Sequence, residues 1–304
     1  MKTSYKFVTQ YPKELEQKSV REVMQDFLIP KKWQHYLRIN RDILVNGHYR
    51  SVNSMVNPGE LLTLNFNAVE STQHEYTPSG HLPEIIYEDE DVVVINKPHG
   101  QKSHPNRLDE TNTALNDVAT YLAPMEQTPY VTHRLDMLTS GLLLIGKNPV
   151  VVPLLNRQLV QKTMQRFYLA RVNLLPNNKA NLTLNKSNYI ETPIGQDISD
   201  KRKRAIKETG LSAQTTYRVL KIDAKQQTAL LHLSLATGRT HQIRVHLASI
   251  GLPVCRDPLY NPLVPPTLAQ STSGIELQAY QLHFRKPLSY EFVTVTLPKQ
   301  LWLK

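Results

Sequence analysis

Apolar residues recur along the chain with two periods, and the order of those periods predicts the architecture. Val20, Val23, Met24 and Leu28 have helical spacing, with Ser19 placed to cap that helix. Trp33, Tyr36 and Leu37 predict a second short helix. Ile43–Arg50 and Leu61–Phe66 follow as strands, with Asn46-Gly47 as a hairpin signal and Pro58-Gly59 as a further turn. Beyond residue 83 the apolar runs are mostly strand-like: Val92–Ile95, Leu142–Ile145, Phe167–Leu174, Thr215–Ile222, Thr228–Leu235, Gln278–Phe284 and Phe292–Leu297. Helices are expected at Thr113–Leu122 and Pro153–Gln161, and Arg244, Leu247 and Ala248 place Arg244 on the first turns of another. Strands do not alternate regularly with helices. The expected class is therefore α+β with a mainly antiparallel mixed sheet, not a repeating β-α-β sheet. Residues 69–82 are polar, carry Pro78-Ser-Gly80, and read as a linker that leaves its flanking units free to move. The predicted division is a small α/β unit over 1–68, a linker over 69–82 and a larger domain over 83–304.

Composition narrows the partners. The formal net charge of +10 favours a polyanion, because lysine and arginine contacts to phosphate dominate nucleic-acid affinity. A membrane surface would attract the same charge, but no apolar run approaches the roughly 18 residues that span a bilayer. Met1–Gln10 lacks the apolar core of a secretory signal, and no membrane association is expected. Cys255 is the sole cysteine, so intramolecular disulfides and multi-cysteine zinc sites are excluded, and a reducing cytoplasm is the expected setting. The 11 histidines show no metal-helix spacing. Neither a Gly-x-Gly-x-x-Gly sequence nor a phosphate loop is present, so no cofactor or metal is expected.

Three segments concentrate candidate chemistry. In His133-Arg-Leu-Asp-Met-Leu-Thr-Ser-Gly141, Asp136 sits on a short loop at the mouth of the strand Leu142–Ile145. A surface ion pair with Arg134, a turn-stabilising carboxylate and a reactive group on a rigid scaffold all fit these residues alone. In Gly238-Arg-Thr-His-Gln-Ile-Arg-Val-His246 the density of donors exceeds what a connecting turn needs. Phosphate and base-edge binding would use it, and so would a solvated helix start. The third segment runs from Glu88 to Pro105, with Val92–Ile95 as a strand and Lys97-Pro-His-Gly100 as a turn, and it includes Asn96-Lys-Pro-His-Gly100. Lys201-Arg-Lys-Arg204 begins the densest positive run, suited to a solvated loop or to RNA-backbone contact.

In this order and spacing, together with Arg166-Phe-Tyr-Leu-Ala170 and Asp257-Pro-Leu-Tyr260, these segments resemble the RluA family of RNA pseudouridine synthases over residues 83–304. Residues 18–66, with Val45-Asn-Gly47 and Pro58-Gly-Glu60, resemble the small RNA-binding domain of ribosomal small-subunit protein four. The resemblance implies a pseudouridine synthase fold and Asp136 as the catalytic carboxylate. It implies Arg244 as the cation paired with Asp136, and Tyr168 as the aromatic beside a flipped uracil. Arg134 would fill the space the base vacates. RNA contacts are expected from Lys97, Arg239, His241, Lys201, Arg202, Lys203 and Arg204, and on the small domain from Lys31, Lys32, Arg38 and Arg41. Ser140, His133 and Asp136 are discounted as a hydrolytic triad, since no Gly-x-Ser-x-Gly elbow surrounds Ser140. The implied partner is RNA, ribosomal RNA of the large subunit ahead of transfer RNA, and a monomer is expected. A non-catalytic ribosome-assembly factor and a generic basic RNA-binding protein are the competing readings. Two departures stand out. Cys255-Arg256 replaces the small residue and glycine common before Asp-Pro-Leu-Tyr, so a positive φ there would strain Arg256. His99 stands where a small residue is frequent.

Overall fold

The computed structural model describes residues 3–69, 71, 73–107, 109–265 and 274–303. Its helices are α1 (Val20–Asp26), α2 (Lys31–Ile39), α3 (Ala114–Leu122), α4 (Val151–Val160) and α5 (Gln242–Ser249). Ser19 does cap α1. Its hydroxyl accepts from the Glu22 N–H while the Glu22 carboxylate accepts from the Ser19 N–H, so two otherwise unpaired donors are satisfied together. The small domain folds around a four-stranded antiparallel sheet, in the order Thr3–Gln10, Leu61–Val69, Ile43–Val45, His48–Tyr49. Asn46 and Gly47 both take positive φ at the predicted hairpin. The first strand was not anticipated from the pattern.

The large domain is built on a ten-stranded sheet. Its main path runs Ser187–Glu191, Gln214–Asp223, Thr228–Leu235, Gln165–Asn173, Leu277–Arg285, Ser140–Gly146, Val92–Lys97, Ile85–Glu88. All neighbours are antiparallel except Ser140–Gly146 with Leu277–Arg285, which makes the sheet mixed as expected. The central strands are continuous apolar runs because both faces are covered. Val93, Ile95, Leu143 and Ile145 pack with Leu115, Val118 and Leu122 of α3. Val92, Val94, Leu142 and Leu144 pack with Val151 and Leu155 of α4.

The two units are in contact across the connecting segment. Val150, Leu154 and Leu288 of the large domain belong to the same apolar cluster as Tyr11, Val23, Phe27 and Leu64 of the small one. Tyr290 donates to Asp26 Oδ2 at 2.8 Å, and Arg157 donates to the Leu28 carbonyl at 2.9 Å. The connecting segment is itself pinned: Gln73 donates to the Pro129 carbonyl, Ser79 to Asp117, and the Gly80 N–H to Thr120 Oγ1. Polar composition disguised these anchors, because they are hydrogen bonds rather than apolar contacts.

Candidate active site

Gly141 opens the strand that carries the Asp136 loop. At its φ of +109°, a Cβ would lie 2.1 Å from the Ala279 carbonyl oxygen, so only glycine lets the parallel pair close here. The preceding loop is clamped on both sides of Asp136. Buried Ser103 accepts from the Leu135 N–H at 2.9 Å and donates to the Leu135 carbonyl at 2.8 Å. The Met137 carbonyl accepts from the Gly100 N–H at 2.8 Å and from Lys97 Nζ at 3.3 Å. Leu135 and Leu138 are buried, while the Asp136 side chain keeps 25% of its surface. The loop thus holds one partly exposed carboxylate between two fixed backbone points.

Lys97 requires a correction. It is fully buried and donates to the carbonyls of Pro98, Gln101 and Met137, so it braces the loop and cannot reach an RNA phosphate. Burial pushes its pKa down to about 7, against the opposing pull of Asp136. We expect Lys97→Met to lower the single-turnover rate at least about tenfold through a displaced Asp136, with RNA affinity within about twofold of wild type. Filter binding alongside rapid quench checks this. Lost affinity with an intact rate would return Lys97 to an RNA contact.

Arg244 enters from the first turn of α5 with 2% of its side chain exposed. Its Nε and Nη2 donate to Asp257 at 2.7 and 2.8 Å, a bidentate pair, and its Nη1 lies 3.5 Å from Asp136 Oδ2. The guanidinium also stacks 5.0 Å from the Tyr260 ring centre. Asp257 and Tyr260 were visible in the sequence only as part of a motif, without roles. Asp257 is fully buried, and its Oδ1 accepts from the Leu259 N–H at 3.0 Å. Asp257 therefore aims Arg244, and Arg244 presents its remaining nitrogen to Asp136.

The donor-rich turn before α5 divides into two groups. Gln242 is structural: its carbonyl accepts from the Arg239 N–H and Thr237, and its amide donates to the Gln214 carbonyl and to Thr215. His246 is buried between Thr215 and the Thr192 carbonyl. Arg239, Thr240, His241 and Arg244 line an open cleft together with Arg134, Asp136, Arg166, Tyr168 and part of Gln242. Tyr168 is 4% exposed, and burial raises its pKa, so it keeps its proton. Arg134 donates to Thr240 Oγ1 at 3.2 Å. His133 lies away from this chemistry: its Nε2 accepts from the Leu144 N–H, and burial pushes its pKa down to about 3. That bond removes it from any triad with Ser140.

The remaining basic residues flank the cleft or lie apart from it. Lys201–Arg204 forms the turn and first residue of a hairpin pairing Ile194–Gln196 with Arg204–Ile206. Arg202 pairs with Asp200 at 2.8 Å, and Arg204 lines the cavity next to Asp136. Lys31, Lys32, Arg38 and Arg41 are exposed on α2 and the turn after it, with Lys32 over Tyr36 and Arg41 over Tyr49.

Comparison with known proteins decides the family. The family model described as RNA pseudouridylate synthase matches residues 91–249, and the one described as RluD ribosomal pseudouridine synthase N-terminal domain matches residues 7–62. The chain belongs to the RluA family of RNA pseudouridine synthases. It is thus an isomerase whose substrate is RNA. It is 33% identical to the uncharacterized RNA pseudouridine synthase YlyB of Bacillus subtilis, over 84% of this chain and 81% of that protein. It is 37% identical to the ribosomal large subunit pseudouridine synthase D of Nitrosomonas europaea, over 67% of this chain and 58% of that protein. The fold is shared with human RNA Pseudouridylate Synthase Domain Containing 1, at a TM-score of 0.57 and 22% identity over 76% of this chain and 86% of that one. Among the described residues no helix is long and apolar enough to cross a membrane.

Both departures from the RluA pattern have a local account. The His99 ring packs on Gly274, where a Cβ would meet the ring at 2.4 Å. Arg256 adopts φ +63°, so a left-handed residue stands where glycine is common, and its 3.5 Å approach to Glu276 is largely exposed. We expect Arg256→Gly to raise stability by roughly 0.5 kcal/mol, the relieved strain outweighing glycine's entropy. Thermal unfolding tests this, and a lowered Tm would show that the Arg256–Glu276 contact outweighs the strain.

Proposed function

We propose that this enzyme isomerises uridine in large-subunit ribosomal RNA, with Asp136 as the catalytic carboxylate. The observation that carries the proposal is one carboxylate, backbone-clamped on both sides, facing an open cleft with the Arg244 guanidinium 3.5 Å away. In the reaction the uracil leaves its ribose through N1, turns, and rejoins through C5, releasing the C5 hydrogen as a proton. Asp136 serves as the nucleophile or base while the glycosidic bond is broken. Arg244 sets a fixed positive charge beside that carboxylate, 3.5 Å from its Oδ2. Tyr168 supplies the aromatic surface for the base, and Arg134 fills the gap left in the RNA stack. Lys201–Arg204 and the exposed cations of α2 bind backbone, which contributes affinity rather than sequence choice.

The choice of large-subunit RNA rests on the N-terminal domain match and on relatives named for that substrate. Pseudouridine mapping of total RNA, from cells with and without the gene, tests it. We expect one or more large-subunit sites to disappear and to return with the wild-type gene. Sites lost only from transfer RNA would overturn the substrate assignment.

A further inference from the structure

We propose that His241, held by Tyr260 with its proton on Nε2, is a further substrate-contacting residue that donates to an oxygen of the target nucleotide. The inference rests on the cleft of Asp136 being the uridine site. It starts from the hydrogen bonds of one hydroxyl. The Tyr260 oxygen accepts from the Arg204 N–H at 2.7 Å and lies 2.8 Å from His241 Nδ1. Tyr260 has one proton to donate, and burial pushes its pKa up to about 12, so that proton stays on. The Arg204 contact already uses the oxygen as an acceptor. Among the described residues Nδ1 is then the sole acceptor for the hydroxyl proton, and only an unprotonated Nδ1 lets that proton be used within the protein. The arrangement that satisfies both groups puts the proton of the neutral imidazole on Nε2.

The ring is also neutral, because burial lowers its pKa more than the facing carboxylates of Asp136 and Asp257 raise it, with Arg244 and Arg204 acting in the lowering direction. Nε2 has no hydrogen-bond partner among the described residues, and the ring lines both the Asp136 cleft and the adjoining cavity bounded by Ser103 and Arg204. His241 further adopts φ +57° at the start of α5, a left-handed conformation for a non-glycine residue. Strain of this kind persists where surrounding structure enforces it, commonly at functional sites. Tyr260 thus joins three parts: it stacks on Arg244, fixes the His241 tautomer, and holds the basic hairpin through Arg204. The acceptor for Nε2–H is an oxygen of the uridine nucleotide, either a uracil carbonyl or its phosphate.

The test uses the full chain, RNA labelled with tritium at uridine C5 from cells lacking the gene, and His241→Ala, His241→Gln and Tyr260→Phe. Glutamine places an amide N–H near the Nε2 position and tolerates the left-handed backbone no better than histidine does. Nitrogen NMR of the wild type should show a protonated Nε2 and an acceptor Nδ1, and Tyr260→Phe should let the Nδ1–H form appear. His241→Ala should lose about ten- to a hundredfold in either the saturated single-turnover rate or RNA affinity, with glutamine restoring most of it. A loss in rate identifies a uracil carbonyl, and a loss in affinity identifies the phosphate. Unchanged rate and affinity in His241→Ala, an Nδ1–H tautomer in the wild type, or equal losses in both His241 variants with a lowered Tm would each overturn the proposal. Absence of tritium release by the wild type would instead count against the assignment of the cleft.

Discussion

Asp136→Asn is expected to lower release of the uridine C5 hydrogen by at least about 10⁴-fold, because an amide is neither a nucleophile nor a base here. The substitution keeps the shape of the side chain. Its loop stays clamped by Ser103 at Leu135 and by Gly100 and Lys97 at Met137, none of which touches the carboxylate. Arg244 retains both hydrogen bonds to Asp257, so stability should change by less than about 1 kcal/mol. RNA affinity should hold or rise slightly, since a negative charge leaves a cleft lined by Arg134, Arg166 and Arg239. Single-turnover tritium release beside filter binding separates the two quantities. Release within tenfold of wild type would place the chemistry on another group.

The site was legible in the sequence where function and backbone geometry share a motif. Thr139-Ser-Gly141 announced a tight turn before a buried strand, and the 2.1 Å approach to Ala279 shows why glycine is needed there. Strand runs covered on both faces were equally readable, as Val92–Ile95 and Leu142–Ile145 show. Three features were not legible, for different reasons. Lys97 read as a cation for phosphate, because sequence carries no burial for a lysine beside a turn; three carbonyls converge on it only in the fold. Ser103 lies 32 residues from the loop it clamps, and nothing in its neighbours marks that contact. The contact between the two domains was not readable because Asp26, Tyr290, Arg157 and Leu288 meet only through tertiary packing. Alternation along Thr3–Gln10 was present but was not read as a strand.

Asp257→Leu and Arg244→Met should each cost roughly 3–5 kcal/mol of stability, while the double variant should recover most of that loss and none of the activity. The two side chains form one buried unit, at 0% and 2% exposure. Removing Asp257 leaves the guanidinium with only the 3.5 Å approach of Asp136 and the Tyr260 ring to offset its lost hydration. Removing Arg244 leaves a buried carboxylate with only the Leu259 and Tyr260 N–H groups to offset its lost hydration. With both gone, two apolar side chains fill the space and no buried charge is left unpaired. A double-mutant cycle in urea should therefore show several kcal/mol of coupling. Activity follows the other logic, because Asp136 has lost its cation in Arg244→Met and in the double variant alike. Both should fall together by at least about 10²-fold, more than either loses in RNA affinity. A double variant no more stable than the singles would mean that Asp257 and Arg244 contribute independently. An Asp257→Leu enzyme of normal rate would mean that α5 alone aims Arg244 at Asp136.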